Sequence, residues 1–279
     1  MKYNLDEFEK NKELLVCVDS DGCAIDTMEV KHRKCFGPKA VEIWGLENIE
    51  ERFLDVWNTV NLYSKQRGIN RFKGLVRTFE ILKSEGMELP EFSQIQKWTQ
   101  TSSELSNPAL ERAIEESGHK ELKQTLEWSY AVNKSIKELP KDDQPFSKVK
   151  EGLELIGSIA DIAIVSSANT NAVEEEWTRH GLIPYVQILL GQEAGTKATC
   201  IGGLKEHNYR NEEVLMVGDA PGDLEAALVN GALYYPILVG NEEYSWKRLA
   251  SEALQKFKDG SYKGKYQEEL IDEFRSTLK

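Results

Sequence analysis

Leu14-Leu15-Val16-Cys17-Val18-Asp19-Ser20-Asp21-Gly22 decides how the rest of the chain is read. A continuous apolar run bounded by turn-forming residues reads as a strand buried on both faces, because a half-exposed strand would alternate apolar with polar. Such a strand belongs in a parallel sheet covered by helices. The run ends in two carboxylates and a glycine, and open α/β sheets bind their ligands at the carboxyl ends of their strands.

Beyond this run the texture changes twice. Over residues 27–147 the pattern is helical, with long charged segments at Ala40–Tyr63, Arg71–Glu85, Phe92–Leu105 and Glu121–Leu139, and with Asn107-Pro108 marking a further helix start. Leu139-Pro140-Lys141-Asp142-Asp143-Gln144-Pro145 has the composition of an exposed linker. Helix and strand then alternate. Val149, Leu153, Ile156 and Ile159 recur at helical spacing, followed by a strand at Ile162–Val165, a helix at Thr170–His180 and a strand at Val186–Leu190. A helix near Lys197, strands at Val214–Val217 and Leu233–Val239, and a helix at Leu224–Val229 complete the series. Repetition of this kind predicts an α/β fold with a doubly wound, Rossmann-like parallel sheet built from residues 1–26 and 148–279, interrupted by an all-helical domain over 27–147. The tail after Asn241 predicts two helices whose aromatics cover one edge of the sheet.

With 279 residues, 40% hydrophobic, the chain can bury one large core or two modest ones. No apolar run approaches a bilayer-spanning length, and Met1–Leu15 is too charged for a signal peptide, so no membrane association is expected and the location expected is cytoplasmic. Cys17, Cys23, Cys35 and Cys200 are scattered, which predicts free thiols and neither a disulfide framework nor a zinc site. A net charge of −12 without a basic stripe argues against nucleic acid, but not against a small anion held by a local cation. A monomer or a homodimer is expected.

Four predicted strands end in reactive groups: Asp19 and Asp21, then Ser166-Ser167, then Lys197 after a short loop, then Gly218-Asp219 with Asp223 one turn later. Taken singly, Asp-x-Asp-Gly is an ordinary turn, a serine after a strand is an ordinary helix cap and a lysine is an ordinary surface charge. Together they supply what phosphoryl transfer to a carboxylate requires. Asp19 can serve as the oxygen nucleophile and a Mg²⁺ ligand, and Asp21 as the acid for the leaving oxygen. Asp219 and Asp223 extend a hard-oxygen metal site. Ser166, Ser167, the first amides of the following helix and Lys197 can bind the equatorial oxygens.

This ordered set resembles the haloacid dehalogenase-like hydrolase superfamily, whose four motifs are matched here by Asp19 and Asp21, by Ser166, by Lys197, and by Gly218-Asp219 with Asp223. The insertion directly after the first motif is similar to the helical cap of the branch that contains β-phosphoglucomutase and phosphoglycolate phosphatase. The resemblance implies Mg²⁺, held by Asp19, Asp21, Asp219 and Asp223, and phosphate-ester chemistry in place of dehalogenation, because Asp21 is present. Cys23 stands where threonine is usual, and no proline follows Lys197. Gly68-Ile69-Asn70-Arg71 resembles the branch's cap loop, which implies that Arg71 meets the substrate; a cation in a first helical turn is also disfavoured by the helix dipole if stability alone is at stake. The alternative for Arg71 is a solvated turn residue.

Other readings fail on residues. A calcium loop would need an oxygen ligand at Cys23 and a glycine at Ala24, Gly191–Lys197 has the wrong spacing for a P-loop, and Ser166 lacks a glycine-flanked elbow. The expected function is a Mg²⁺-dependent phosphatase for a small phosphorylated metabolite, with a phosphomutase or a silent metabolite-binding protein as alternatives.

Overall fold

Leu14–Val18 forms β1, the central strand of a five-stranded sheet in the computed structural model, which describes Met1–Lys279. β2 (Ala160–Val165) and β4 (Val214–Gly218) flank it, β3 (Ile188–Leu190) lies outside β2, and β5 (Leu233–Pro236) lies outside β4. Every pairing is parallel. The order reverses at β1, so the crevice above its carboxyl end is the position where such sheets take ligands.

Both faces of the sheet are buried, as the unbroken apolar runs require. Val16 and Val18 join Ile162, Ile164, Leu215 and Val217 in one apolar cluster, while Leu15 and Cys17 join Ala163, Val165 and Met216 in another. Helices Val149–Ile159 and Thr170–Arg179 contribute to the first, and Lys197–Lys205 and Pro221–Val229 to the second. The tail does more than cover an edge. Trp246, Phe257 and Tyr262 are buried in the first cluster, and helix Lys265–Thr277 sends Ile271 and Phe274 into the second. Tyr262, whose hydroxyl donates to the Tyr234 carbonyl, and Phe274, edge-on to the Tyr234 ring, sit on edge strand β5.

Two units divide the chain, Met1–Thr27 with Asp143–Lys279, and Met28–Asp142. The second crossing falls a few residues before the boundary read from composition, because Phe146 donates its amide to the Ala24 carbonyl and Asp26 donates to the Gln144 carbonyl. These bonds make both connecting segments part of the sheet unit. Met28–Asp142 contains no strand, and its helices enclose an aromatic core of Trp44, Trp57, Trp128, Phe53, Phe72 and Phe79. The predicted segment Ala40–Tyr63 is not one helix. It breaks at Gly45, which takes a φ of 63° and closes helix Gly37–Trp44, and helix resumes at Glu50–Asn58. No helix is long and apolar enough to cross a membrane. All four cysteines are buried and free.

Candidate active site

β1 delivers Asp19 to the carboxyl edge, where its amide donates to the Val217 carbonyl at 3.0 Å and extends the ladder by one bond. Its Oδ1 accepts from the Ser20 amide at 2.8 Å and its Oδ2 meets Lys197 Nζ at 2.8 Å. Lys197 is the first residue of its helix, with Thr196 as N-cap. That is a costly place for a cation unless carboxylates face it. Two do, since Nζ also reaches Asp223 Oδ1 at 2.5 Å. Asp223 is itself fixed at the start of helix Pro221–Val229, where Oδ2 accepts from the Ala220 amide at 3.0 Å.

Asp19, Asp219 and Asp223 are all buried, and their candidate ligand oxygens lie within 4.8 Å of one another. Burial raises the Asp19 pKa to about 7, with Lys197 opposing the rise and Asp223 adding to it. Asp223 is raised as well, first by burial and further by Asp219. Lys197 would be lowered by burial, yet Asp19 and Asp223 together lift it above its ordinary range. Both carboxylates rise because burial and neighbouring acids disfavour their charged forms, and the lysine rises because two carboxylates face one ammonium group. An all-oxygen, net-negative, buried donor set suits a hard divalent cation and no soft one. Asp21 stands apart from this trio. Its Oδ1 accepts the Thr27 hydroxyl at 2.6 Å, so the metal-binding cluster expected from sequence is brought together as three side chains and not four.

Gly218, the last residue of β4, is required by close approach. A Cβ there would stand 2.3 Å from Asp223 Cγ, and Asp223 cannot retreat without releasing Lys197 and Ala220. Gly218→Ala is therefore expected to cost about 1–3 kcal/mol of stability, read from denaturant unfolding. Parental stability would mean that the carboxylate has room to move.

Ser166 follows β2 and is buried, while Ser167 is exposed. The Ser166 hydroxyl oxygen accepts from the Ala168 amide at 3.1 Å, which leaves its proton for an incoming acceptor. The next helix does not offer its first amides in the expected way. Glu193 accepts from Thr170 N at 3.0 Å and Asn169 Oδ1 accepts from Ala172 N at 3.3 Å, so an internal carboxylate already occupies that terminus. Arg71 is half-buried and held by bonds within the helical unit. Its Nη1 donates to Asn133 Oδ1 at 2.7 Å and to Ser129 Oγ at 3.2 Å, and the guanidinium lies over the Phe36 ring. Burial lowers it to about 10, with no carboxylate raising it back.

Thr27, Ser20 and Trp177 are site neighbours that the motifs do not point to, and Trp246 is expected only as a tail aromatic covering a sheet edge. The Trp177 indole donates to Ser20 Oγ at 2.9 Å and the Trp246 indole to the Cys23 carbonyl at 2.9 Å, contacts spanning 157 and 223 positions. Ser20, between Asp19 and Asp21, and Thr27, six residues after Asp21, had a local signal; the two tryptophans had none. Cys23 occupies its position as a buried thiol facing the Val217 carbonyl at 3.5 Å.

The sequence profile of haloacid dehalogenase-like hydrolases matches residues 89–234, just over half the chain. This protein belongs to that family. The match begins within the helical unit and includes Ser166, Lys197, Asp219 and Asp223. No curated protein sequence matches the chain. Among solved structures, a predicted phosphoglycolate phosphatase from Haemophilus somnus is similar at 16% identity, covering 82% of this chain and 86% of its own, with a TM-score of 0.51. A candidate haloacid dehalogenase-like hydrolase from Bacteroides fragilis is also 16% identical, covering 84% and 93%, with a TM-score of 0.50. At such identities the likeness is one of fold.

Proposed function

We propose that this chain is a magnesium-dependent phosphatase that cleaves a small phosphorylated metabolite by way of an aspartyl phosphate on Asp19. The observation that carries the reading is the buried trio Asp19, Asp219 and Asp223 at the end of the central strand, with Lys197 bridging Asp19 and Asp223. Asp19 and Asp219, with Asp223 behind them, are the residues that would hold the ion. When bound, Mg²⁺ supplies positive charge to the phosphoryl oxygens and to the acid cluster.

The remaining steps fall to the chain's own groups. Asp19 attacks phosphorus while Lys197 and the Ser166 proton meet the equatorial oxygens, and the P–O bond to the metabolite breaks as Asp21 gives its proton to the leaving oxygen. Asp21 then takes a proton from water, which attacks the aspartyl phosphate, releasing inorganic phosphate and restoring Asp19. Thr27, bonded to Asp21 Oδ1, orients that acid and base. The test is a screen of phosphorylated metabolites for Mg²⁺-dependent phosphate release. Release from none of them, together with no binding of fluoroberyllate as an acyl-phosphate mimic, would reject the reading. Transfer of phosphate within a sugar bisphosphate, without release, would make the enzyme a mutase.

Arg71 is proposed to bind an anionic group on the leaving portion of the substrate. A half-buried guanidinium whose pKa burial lowers, with no carboxylate raising it back, has unspent charge, which an anion would satisfy. Arg71→Ala is expected to lower kcat/KM for the native substrate ~10- to 100-fold, while p-nitrophenyl phosphate turnover stays near parental. Equal losses on both would reduce Arg71 to a staple between Ser129 and Asn133.

A further inference from the structure

We propose that Trp177 is a positioning residue, whose indole N–H, bonded to Ser20 Oγ, holds the loop carrying Asp19 and Asp21 at a set distance from the Ser166 turn. A buried indole that merely finds an acceptor is the ordinary alternative. What distinguishes this one is the acceptor. Ser20 is fully buried, and each of its polar groups holds a different part of the loop. Its amide donates to Asp19 Oδ1 at 2.8 Å, and its carbonyl accepts from the amides of Cys23, Ala24 and Ile25 at 3.3, 2.9 and 3.0 Å. Its hydroxyl oxygen accepts from Trp177 at 2.9 Å. Rotation about Ser20 would therefore disturb the Asp19 carboxylate and the turn after Asp21 together.

Trp177 stands on helix Thr170–Arg179, which starts directly after the Ser166 turn. The far end of this helix is also fixed, as Arg179 and His180 both bond to Asp143, His180 Nε2 at 2.9 Å. A rod tied at its end and packed in the core carries one donor into the middle of the Asp-x-Asp pair. Trp246 supports the same loop from another side, donating to the Cys23 carbonyl at 2.9 Å. Ser20 lies between two residues with separate tasks, so a shift of a fraction of an ångström misaligns both. Misplacement on this scale is what catalysis by positioning tolerates least.

The kinetic part of the test rests on the proposed phosphatase reading; the exchange part does not. Trp177→Phe keeps an aromatic ring but removes the donor and leaves a small void, while Ser20→Ala removes the acceptor with almost no change of volume. Each is expected to lower kcat for phosphate release about tenfold, and the double variant to lose no more than the worse single one. Hydrogen exchange at the Ala24 and Ile25 amides is expected to quicken in all three, with the β4 amides of Leu215 and Met216 unchanged. Parental exchange at Ala24 and Ile25 in Trp177→Phe would overturn the proposal whether or not the protein turns over any phosphate ester. So would parental kcat in an active enzyme, or multiplicative losses in the double variant. Absence of turnover in the parent would sink the phosphatase reading alone and leave the exchange result to decide this one.

Discussion

Asp19→Asn is expected to reduce phosphate release by roughly 10⁴-fold or more, because an amide of nearly the same shape cannot attack phosphorus and cannot carry the acyl phosphate. Its effect on the metal-free fold should have the opposite sign. The Asp19 pKa is raised by burial to about 7, above the ordinary 3.8, so the folded state binds this proton more tightly than the unfolded chain does. The linked stability is fully present below about pH 4 and is lost as the pH rises through about 7. Asparagine is never charged and escapes that loss. Without divalent ions, Asp19→Asn should thus melt above the parent at pH 8, and the gap should close as the pH falls towards 4. Residual turnover within tenfold of the parent would remove Asp19 as nucleophile. A variant that melts below the parent at pH 8 would show that the Lys197 contact outweighs the burial cost.

Removal of divalent ions should silence the enzyme altogether, and Mg²⁺ added back should restore both turnover and stability. The trio of buried acids within 4.8 Å, in which Lys197 pairs with Asp19 and Asp223, concentrates negative charge in the apo protein. An ion that binds only the folded state adds ~2.7 kcal/mol at a hundredfold excess over Kd. Melting curves against Mg²⁺ concentration should rise in the parent and flatten in Asp219→Asn. Activity that survives exhaustive chelation would contradict the metal-dependent route, and a melting temperature indifferent to Mg²⁺ would contradict binding at the trio.

Local residues made the sheet legible. The run Leu14–Val18 became β1 with the bounds read from it, Asp19, Ser166 and Asp219 follow the strands β1, β2 and β4, and Lys197 opens the helix after β3. Patterns of this kind survive because burial on two faces demands unbroken apolar runs, and because connections in a doubly wound sheet return each strand end to the same edge. Where a single residue overrides a pattern, sequence reading failed, as at Gly45, where a left-handed backbone cuts an otherwise continuous helical signal.

Apolar runs, their spacing and the residues at their ends carry the α/β class, the helical insertion and the identity of the acids and lysine that could do chemistry. Tertiary structure alone decided how they are held. The closure of the first helical amide, Thr170 N, by Glu193, the capture of Arg71 by Ser129 and Asn133, and the seating of Trp177 on Ser20 and of Trp246 on Cys23 all join residues far apart in the chain. Periodicity records which face of an element is apolar, whereas a hydrogen bond between distant side chains depends on where two elements finally pack, and no local pattern encodes that distance.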